Sequence, residues 1–286
     1  MTVYCLGSIN ADVTYQVARL PRPGETIVAQ DMRRGLGGKG ANQSVAAARA
    51  GARVVHIGMV GAEGDWCVAE LASYGVECRH VAQAAGPSGH AIIHVDAAGE
   101  NVITVFAGAN ARQDLARIEA ALGQAGPGDW LLLQNETSHQ QEAAQLAQAR
   151  GVQVAYSAAP FEAEALRRVL PYASLLLLNE GEFAALGAAG IALPADCATL
   201  VTQGAAGAEW RQGETRLQQR GFPVEAVDST GAGDCFAGYV VAGLEAGRGP
   251  EEAMALAAAA AALSVTRPGA AGAVPDRAEV EAFLSQ

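Results

Sequence analysis

The sequence predicts an α/β fold: a doubly wound, mainly parallel sheet flanked by helices, with a small antiparallel β lid. Short runs rich in leucine and β-branched residues are apolar without alternation, as parallel strands covered on both faces should be. Helix-like stretches separate these runs, giving the β-α-β rhythm of a wound sheet. Two segments break that rhythm with paired strands and no helix between them, and these supply the lid.

Taken in order, Val3–Leu6 is the first expected strand, and Thr14–Met32 reads as two paired strands. Ala41–Ala50 then reads as a helix, Arg53–Met59 as a strand and Asp65–Tyr74 as a second helix. In His90–Phe106, two β-rich runs flank Asp96-Ala97-Ala98-Gly99-Glu100, with Gly99 where a hairpin connection favours positive φ. Residues 13–34 and 89–106 together form the expected lid. Trp130–Gln134, Val152–Tyr156, Leu175–Leu178 and Leu200–Thr202 complete the strands, with a helix at Gln140–Arg150. Pro250-Glu251-Glu252 opens a late helix with proline and acids in its first turn, and Pro268-Gly269 ends it. No internal repeat or linker tract stands out, so residues 1–286 are expected to form one domain. Exposed strand edges favour pairing with another copy, so a homodimer through the lid is expected.

Composition narrows the function. Of 19 basic residues, Lys39 is the one lysine, against 30 acidic residues and a formal charge of −11. Such a balance disfavours nucleic-acid binding, which needs clustered cations, and docking on an anionic membrane. The longest apolar run, Met254 to Leu263, is far shorter than the roughly 18 residues of a membrane span. Met1–Gly7 has no basic or long apolar region resembling a signal peptide. Five scattered cysteines without a C-x-x-C pair argue against a disulfide framework or zinc site, so a cytoplasmic location is expected.

Two glycine-rich segments carry the chemistry. Gly35-Leu36-Gly37-Gly38-Lys39-Gly40-Ala41-Asn42-Gln43 matches the spacing of a dinucleotide fingerprint but lacks its context. Gln30–Arg34 precedes it in place of a buried strand, and Val54–Val60 contains no acid to hold a ribose. It is also not a phosphate-binding Walker loop, because glycine follows Gly38-Lys39 where Ser or Thr is required. What remains is a glycine turn entering a helix, where backbone approaches a ligand closely and Lys39 and Asn42 project donors. The second segment, Asp228-Ser229-Thr230-Gly231-Ala232-Gly233-Asp234, lets successive amides converge at a helix N-terminus to make an anion hole. Asp234 falls in that helix's first turn, where it is either a favourable capping charge or a base positioned for phosphoryl transfer.

These segments, together with Gly7-Ser8-Ile9-Asn10-Ala11-Asp12, occur in the order and wide spacing of one family. The chain resembles the ribokinase branch of the PfkB-type carbohydrate kinases over nearly its whole length. The pairing of Asn10-Ala11-Asp12 with Gly38-Lys39-Gly40-Ala41-Asn42 points to that branch rather than to fructokinase or adenosine kinase relatives.

The resemblance implies an ATP-dependent kinase acting on the primary hydroxyl of a pentose, D-ribose first. Asp12 would accept hydrogen bonds from two adjacent sugar hydroxyls, with Asn10, Gly38, Lys39, Asn42 and Glu136 closing around the sugar. Asp234 would be the general base, and the amides of Gly231, Ala232 and Gly233 would stabilise the transferred phosphoryl group. Asn179 and Glu182 would help hold Mg²⁺ and phosphates, largely through water. Thr202, Gly204 and Gly207 match the family's nucleotide-binding turn, although on its residues alone this is a strand–turn–strand. Asp228 and backbone carbonyls around Thr230, Ser264, Arg267 and Gly269 match a site for a monovalent cation, K⁺. Related kinases for deoxyribose, another sugar or a nucleoside stand as alternatives, as does a non-catalytic sugar-binding regulator.

Three positions depart from the family pattern. Ala258 replaces a polar residue against the adenine, and Ala273 replaces a hydroxyl ligand of the cation. Ser157-Ala158-Ala159-Pro160 replaces Asn-Pro-Ala-Pro near the site's supporting shell. The expected consequences are an adenine held by apolar packing, weakened potassium activation and a shifted sugar selectivity.

Overall fold

The computed structural model describes all residues, 1–286. In chain order, β1 (Val3–Leu6) leads into the hairpin β2 (Asn10–Gln16) and β3 (Asp31–Gly37). Then come α1 (Lys39–Arg49), β4 (Val54–Val60), α2 (Asp65–Ser73) and β5 (Glu77–Gln83), followed by the hairpin β6 (Gly89–Val95) and β7 (Asn101–Phe106). The alternation resumes with α3 (Leu115–Leu122), β8 (Trp130–Gln134), α4 (Gln140–Ala149), β9 (Gln153–Ser157), α5 (Ala163–Val169), β10 (Leu175–Asn179) and α6 (Glu180–Ala188). The strands β11 (Ala198–Thr202), β12 (Gly207–Gln212) and β13 (Thr215–Arg220) precede α7 (Ala232–Glu245), α8 (Pro250–Ser264) and α9 (Arg277–Leu284).

Nine strands form the main sheet in the order β13-β12-β11-β10-β9-β8-β1-β4-β5. It is parallel from β5 to β11, and the last two pairings are antiparallel. Alternate residues of each central strand feed two cores, which is why the strands read as unbroken apolar runs. Cys5, Leu132 and Leu177 join Val45 of α1, Val240 of α7 and Ala257 of α8 on one face. Leu6, Leu133 and Leu178 join Ile118 of α3, Ala143 of α4 and Leu166 of α5 on the other. The alanine run of α8 lies in the first core, where small side chains let α7 and α8 pack closely.

The order reverses at β1, which has β4 on one side and β8 on the other. In an open α/β sheet, ligands bind at the carboxyl ends of strands beside such a switch point. Gly7–Asn10 after β1 and Asn135–Glu136 after β8 emerge there.

The second sheet has four strands in the order β3-β2-β6-β7. Its two hairpins are antiparallel, while the central β2–β6 pair runs parallel, from Asn10 beside Gly89 to Gln16 beside Val95. Gly99 adopts φ 84° in the second hairpin, as expected of that connection. The expected paired strands over Thr14–Met32 are corrected: residues 17–30 carry no strand, and the paired portions lie at Asn10–Gln16 and Asp31–Gly37. Pro21 and Pro23 remove two ladder donors there, and Glu25 instead ties down Arg19 and the Arg22 amide. Strand β5 and the edge strand β13 have no counterpart among the expected strands. No helix is long and apolar enough to cross a membrane.

Candidate active site

Gly231, at φ 75°, turns the chain into α7, and a Cβ there would press on Ala270. That turn presents the first amides of α7 to a cavity of about 160 Å³ and sets Asp234 in the helix's first turn. Asp234 is only 8% exposed. Helix α1 holds its carboxylate from below: Asn42 Nδ2 donates to Oδ2 at 3.1 Å and Gln43 Nε2 donates to Oδ1 at 2.8 Å.

The same cavity is bordered by Lys39, Asn179, Glu182, Thr202, Gly231, Ala232, Gly233 and Asp234. Lys39 begins α1 just after Gly38, whose φ is 91°. The ammonium pairs with no carboxylate, yet Asp234, then Glu136 and Glu182, hold its pKa above the usual lysine value against the effect of burial. The charged form is therefore retained in the cavity.

A larger cavity of about 500 Å³ adjoins the ends of β1 and β8, bordered by Asn10, Asn110, Asn135, Glu136, Val105 and Pro160, among others. Glu136 is no loose loop acid. Its Oε2 accepts from Ser8 Oγ at 2.5 Å and from the Lys39 amide at 3.1 Å, tying β8, the β1 turn and α1 together. Asn10 is fixed by Asn110, whose Nδ2 donates to Asn10 Oδ1 at 2.7 Å while its Oδ1 accepts from the Ile9 amide at 3.0 Å. That leaves the Asn10 amide nitrogen free to donate. Asn110 was not among the expected site residues.

Asp12 stands on β2 over Gly37, where any Cβ would overlap its carboxylate. Its Oδ1 is buried with no hydrogen-bond partner. Burial pushes the Asp12 pKa up to about 7, and the nearby Glu136 charge adds to the effect. An oxygen in that state awaits a donor.

Several expected residues take other positions. Lys39 borders the Asp234 cavity rather than the larger one, because its place at the start of α1 faces the α7 turn. Asn42 gives one donor to Asp234, while its Oδ1 is buried without a partner. Asn179 and Glu182 form a reciprocal capping box on α6, each accepting from the other's backbone amide at 2.8 Å. The remaining Glu182 oxygen can still hold a water-bound cation. Thr202 reaches the cavity, but Gly204 and Gly207 do not border it: they shape the turn into β12, and a Cβ on Gly207 would overlap the Gln219 carbonyl. The Asp228 carboxylate accepts from the amides of Thr230 and Gly269, each at 2.9 Å, closing that loop on itself. The Arg267 amide donates to the Ser264 carbonyl at the end of α8, and Ala273 is buried and offers no hydroxyl. No group of three or more His, Cys, Asp or Glu could hold a metal ion.

Residues 2–277 match the model of the pfkB family carbohydrate kinases. The chain is 36% identical to ribokinase of Haemophilus influenzae, across 99% of this chain and 98% of the relative. It is 30% identical to deoxyribokinase of Salmonella typhi, across 100% and 99%. Among solved structures, Arabidopsis thaliana ribokinase complexed with ribose and ATP superposes with a TM-score of 0.86 at 30% identity, covering 99% of this chain and 98% of that one. The chain therefore belongs to the pfkB family of carbohydrate kinases, enzymes that transfer a phosphoryl group to an alcohol.

Proposed function

We propose that the protein transfers the γ-phosphoryl group of ATP to the primary hydroxyl of a pentose, D-ribose before others, giving D-ribose 5-phosphate. The observation that carries this reading is the meeting of Asp234, the Gly231–Gly233 amides and Lys39 around one cavity beside the Asn10–Glu136 cavity. Asp234 accepts the hydroxyl proton as the phosphorus is attacked. The α7 amides and the Lys39 ammonium offset charge on the transferred group. Asn10 and Asp12 bind the sugar hydroxyls, and the unpartnered Asp12 oxygen supports that role. Mg²⁺, held through water by Asn179 and Glu182, would neutralise phosphate charge, and hard oxygen donors suit it. No step is assigned to K⁺.

The four-stranded sheet acts as a lid over the sugar and excludes water when closed. We further propose a homodimer through it, supported by Val105 and Phe106 on β7, residues that are 58% and 50% exposed. Cytoplasmic residence is supported by five unpaired cysteines. The Salmonella deoxyribokinase similarity favours 2-deoxyribose as the second reading.

The test is ADP release with D-ribose, 2-deoxyribose, fructose and nucleosides, each with and without K⁺. The expected result is the highest kcat/KM with ribose. A higher value with a nucleoside would move the substrate class. No turnover with any of them, despite calorimetric sugar binding, would remove the kinase reading of this site.

A further inference from the structure

Two fully buried glutamines lie behind Asp234. Gln43 on α1 donates from Nε2 to Asp234 Oδ1 at 2.8 Å, and its Oε1 accepts from Nε2 of Gln134, at the end of β8, also at 2.8 Å. Gln134 Nε2 also approaches Cys5 Sγ on β1 at 3.6 Å, and the Cys5 thiol donates to the Gly40 carbonyl at 3.5 Å. Burial pushes the Cys5 thiol up to about 11, so it keeps the proton that this last contact needs. The chain of contacts is Asp234, Gln43, Gln134, Cys5 and the Gly40 backbone, crossing α7, α1, β8 and β1.

A side-chain amide can face a neighbour with either its donor or its acceptor end. Toward a carboxylate only the donor end is favourable, since the reversed amide would set an oxygen lone pair against negative charge. The Gln134 donor on Gln43 Oε1 opposes that reversal, and the Cys5 sulfur favours the same orientation of Gln134, whose own Oε1 is buried without a partner. Each polar contact in this dry interior is stronger than it would be in water, and each reversal is costlier. The bond to Asp234 also fixes the rotamer of a carboxylate that has a cavity on its other side.

We infer that Gln43 and Gln134 are positioning residues for phosphoryl transfer: a buried amide relay that aims the Asp234 carboxylate at the acceptor hydroxyl. The inference rests on the reading of Asp234 as the base. Gln43 acts directly on Asp234, and Gln134 acts only through Gln43.

A double-mutant cycle tests it with Gln43→Met, Gln134→Met and the pair, by ADP release with ribose, calorimetric ribose binding and thermal unfolding. Gln43→Met lowers kcat about tenfold to a hundredfold, the range of a lost hydrogen bond to a charged group, with ribose Kd within about threefold. Gln134→Met lowers kcat less, and in the Gln43→Met background it has no further effect on kcat. A packing role would instead give losses in kcat that add in the pair and follow the thermal midpoint. Wild-type kcat in Gln43→Met, or additive losses in the pair, would overturn the relay. Should Gln43→Met fail to fold, a Gln134→Met enzyme with unchanged kcat would overturn it, and a kcat loss at unchanged ribose Kd would support it. Asp234→Asn run alongside separates the two levels: if it keeps near wild-type turnover, the base assignment fails first. If it is inactive while Gln43→Met is normal, only the relay fails.

Discussion

The two carboxylates at the centre of the site are held in opposite ways. Asp234, at the phosphoryl end, has an amide donor on each oxygen and sits on a helix packed deep in the main sheet's core. Asp12, at the sugar end, stands on a half-exposed strand of the small sheet with one oxygen buried and unpartnered. Both oxygens of the Asp234 carboxylate are partnered before any ligand arrives, although Asn42 Oδ1 and Gln134 Oε1 behind it are buried without a partner. In the proposed function the Asp12 end is completed by the sugar, whose hydroxyl would supply the missing donor. Chemistry and sugar recognition should therefore fail separately, kcat at one end and KM at the other.

Replacing Asp234 with Asn removes the base while keeping the residue's shape. It should lower kcat by roughly 10²–10⁴-fold, the usual worth of a positioned base, in an ADP-release assay.

At the sugar end, Gly37→Ala forces the Asp12 carboxylate from its place. The sugar KM should rise by at least about tenfold, with kcat at saturating ribose changing far less. A loss confined to kcat would mean that Asp12 belongs to the chemical step.

The pH dependence sharpens the same contrast. With the Asp12 pKa at about 7 in the free protein, the ionised acceptor is lost as pH falls below 7. Ribose binding should weaken by roughly tenfold per unit on the acid side, measured by calorimetry between pH 5 and 8. Asp12→Asn should bind weakly with a flat profile.

Lys39 lies between the two ends. Lys39→Arg keeps the charge but places a wide planar fork in a cavity of about 160 Å³, so kcat or the ATP KM should worsen several-fold. A change confined to the ribose KM would return Lys39 to the sugar.

The smallest effect is on stability. Buried His56 lies between Ser44 Oγ and the Gly7 carbonyl, and burial pushes its pKa down to about 4 from 6.5. The unfolded chain therefore takes the proton first, and the stability of neutral His56 is lost as pH falls from 6.5 toward 4. Asp12 acts oppositely. Its raised pKa makes the folded state take the proton first, so stability is regained as pH falls from 7 toward 3.8. Asp12→Asn should leave the His56 loss unopposed, and its thermal midpoint should fall more steeply with acid than that of the wild type.

The same contrast governs what the sequence could disclose. The α7 turn and the Gly35–Gln43 segment are legible because their chemistry is set by local backbone: glycines, a helix start and an acid in its first turn. The central strands are legible because burial on both faces leaves no polar alternation. Gln43 and Gln134 carry no such signal, since a glutamine's role depends on which distant groups the fold places at its two ends. Asn110 is silent for the same reason, being 100 residues from Asn10. The resemblance implies Lys39 beside the sugar; its side chain borders the Asp234 cavity, while its amide donates to Glu136 of the larger one. Within Thr14–Met32 the pairing stops short because Pro21 and Pro23 interrupt an otherwise strand-like stretch.

The separation of the two ends is tested most directly by titrating ribose calorimetrically into Asp234→Asn whose ADP release has been measured on the same preparation. The account predicts a ribose Kd within about tenfold of wild type, roughly 1.4 kcal/mol, with turnover nearly abolished. Loss of ribose binding together with turnover, or turnover near the wild-type rate, would contradict it.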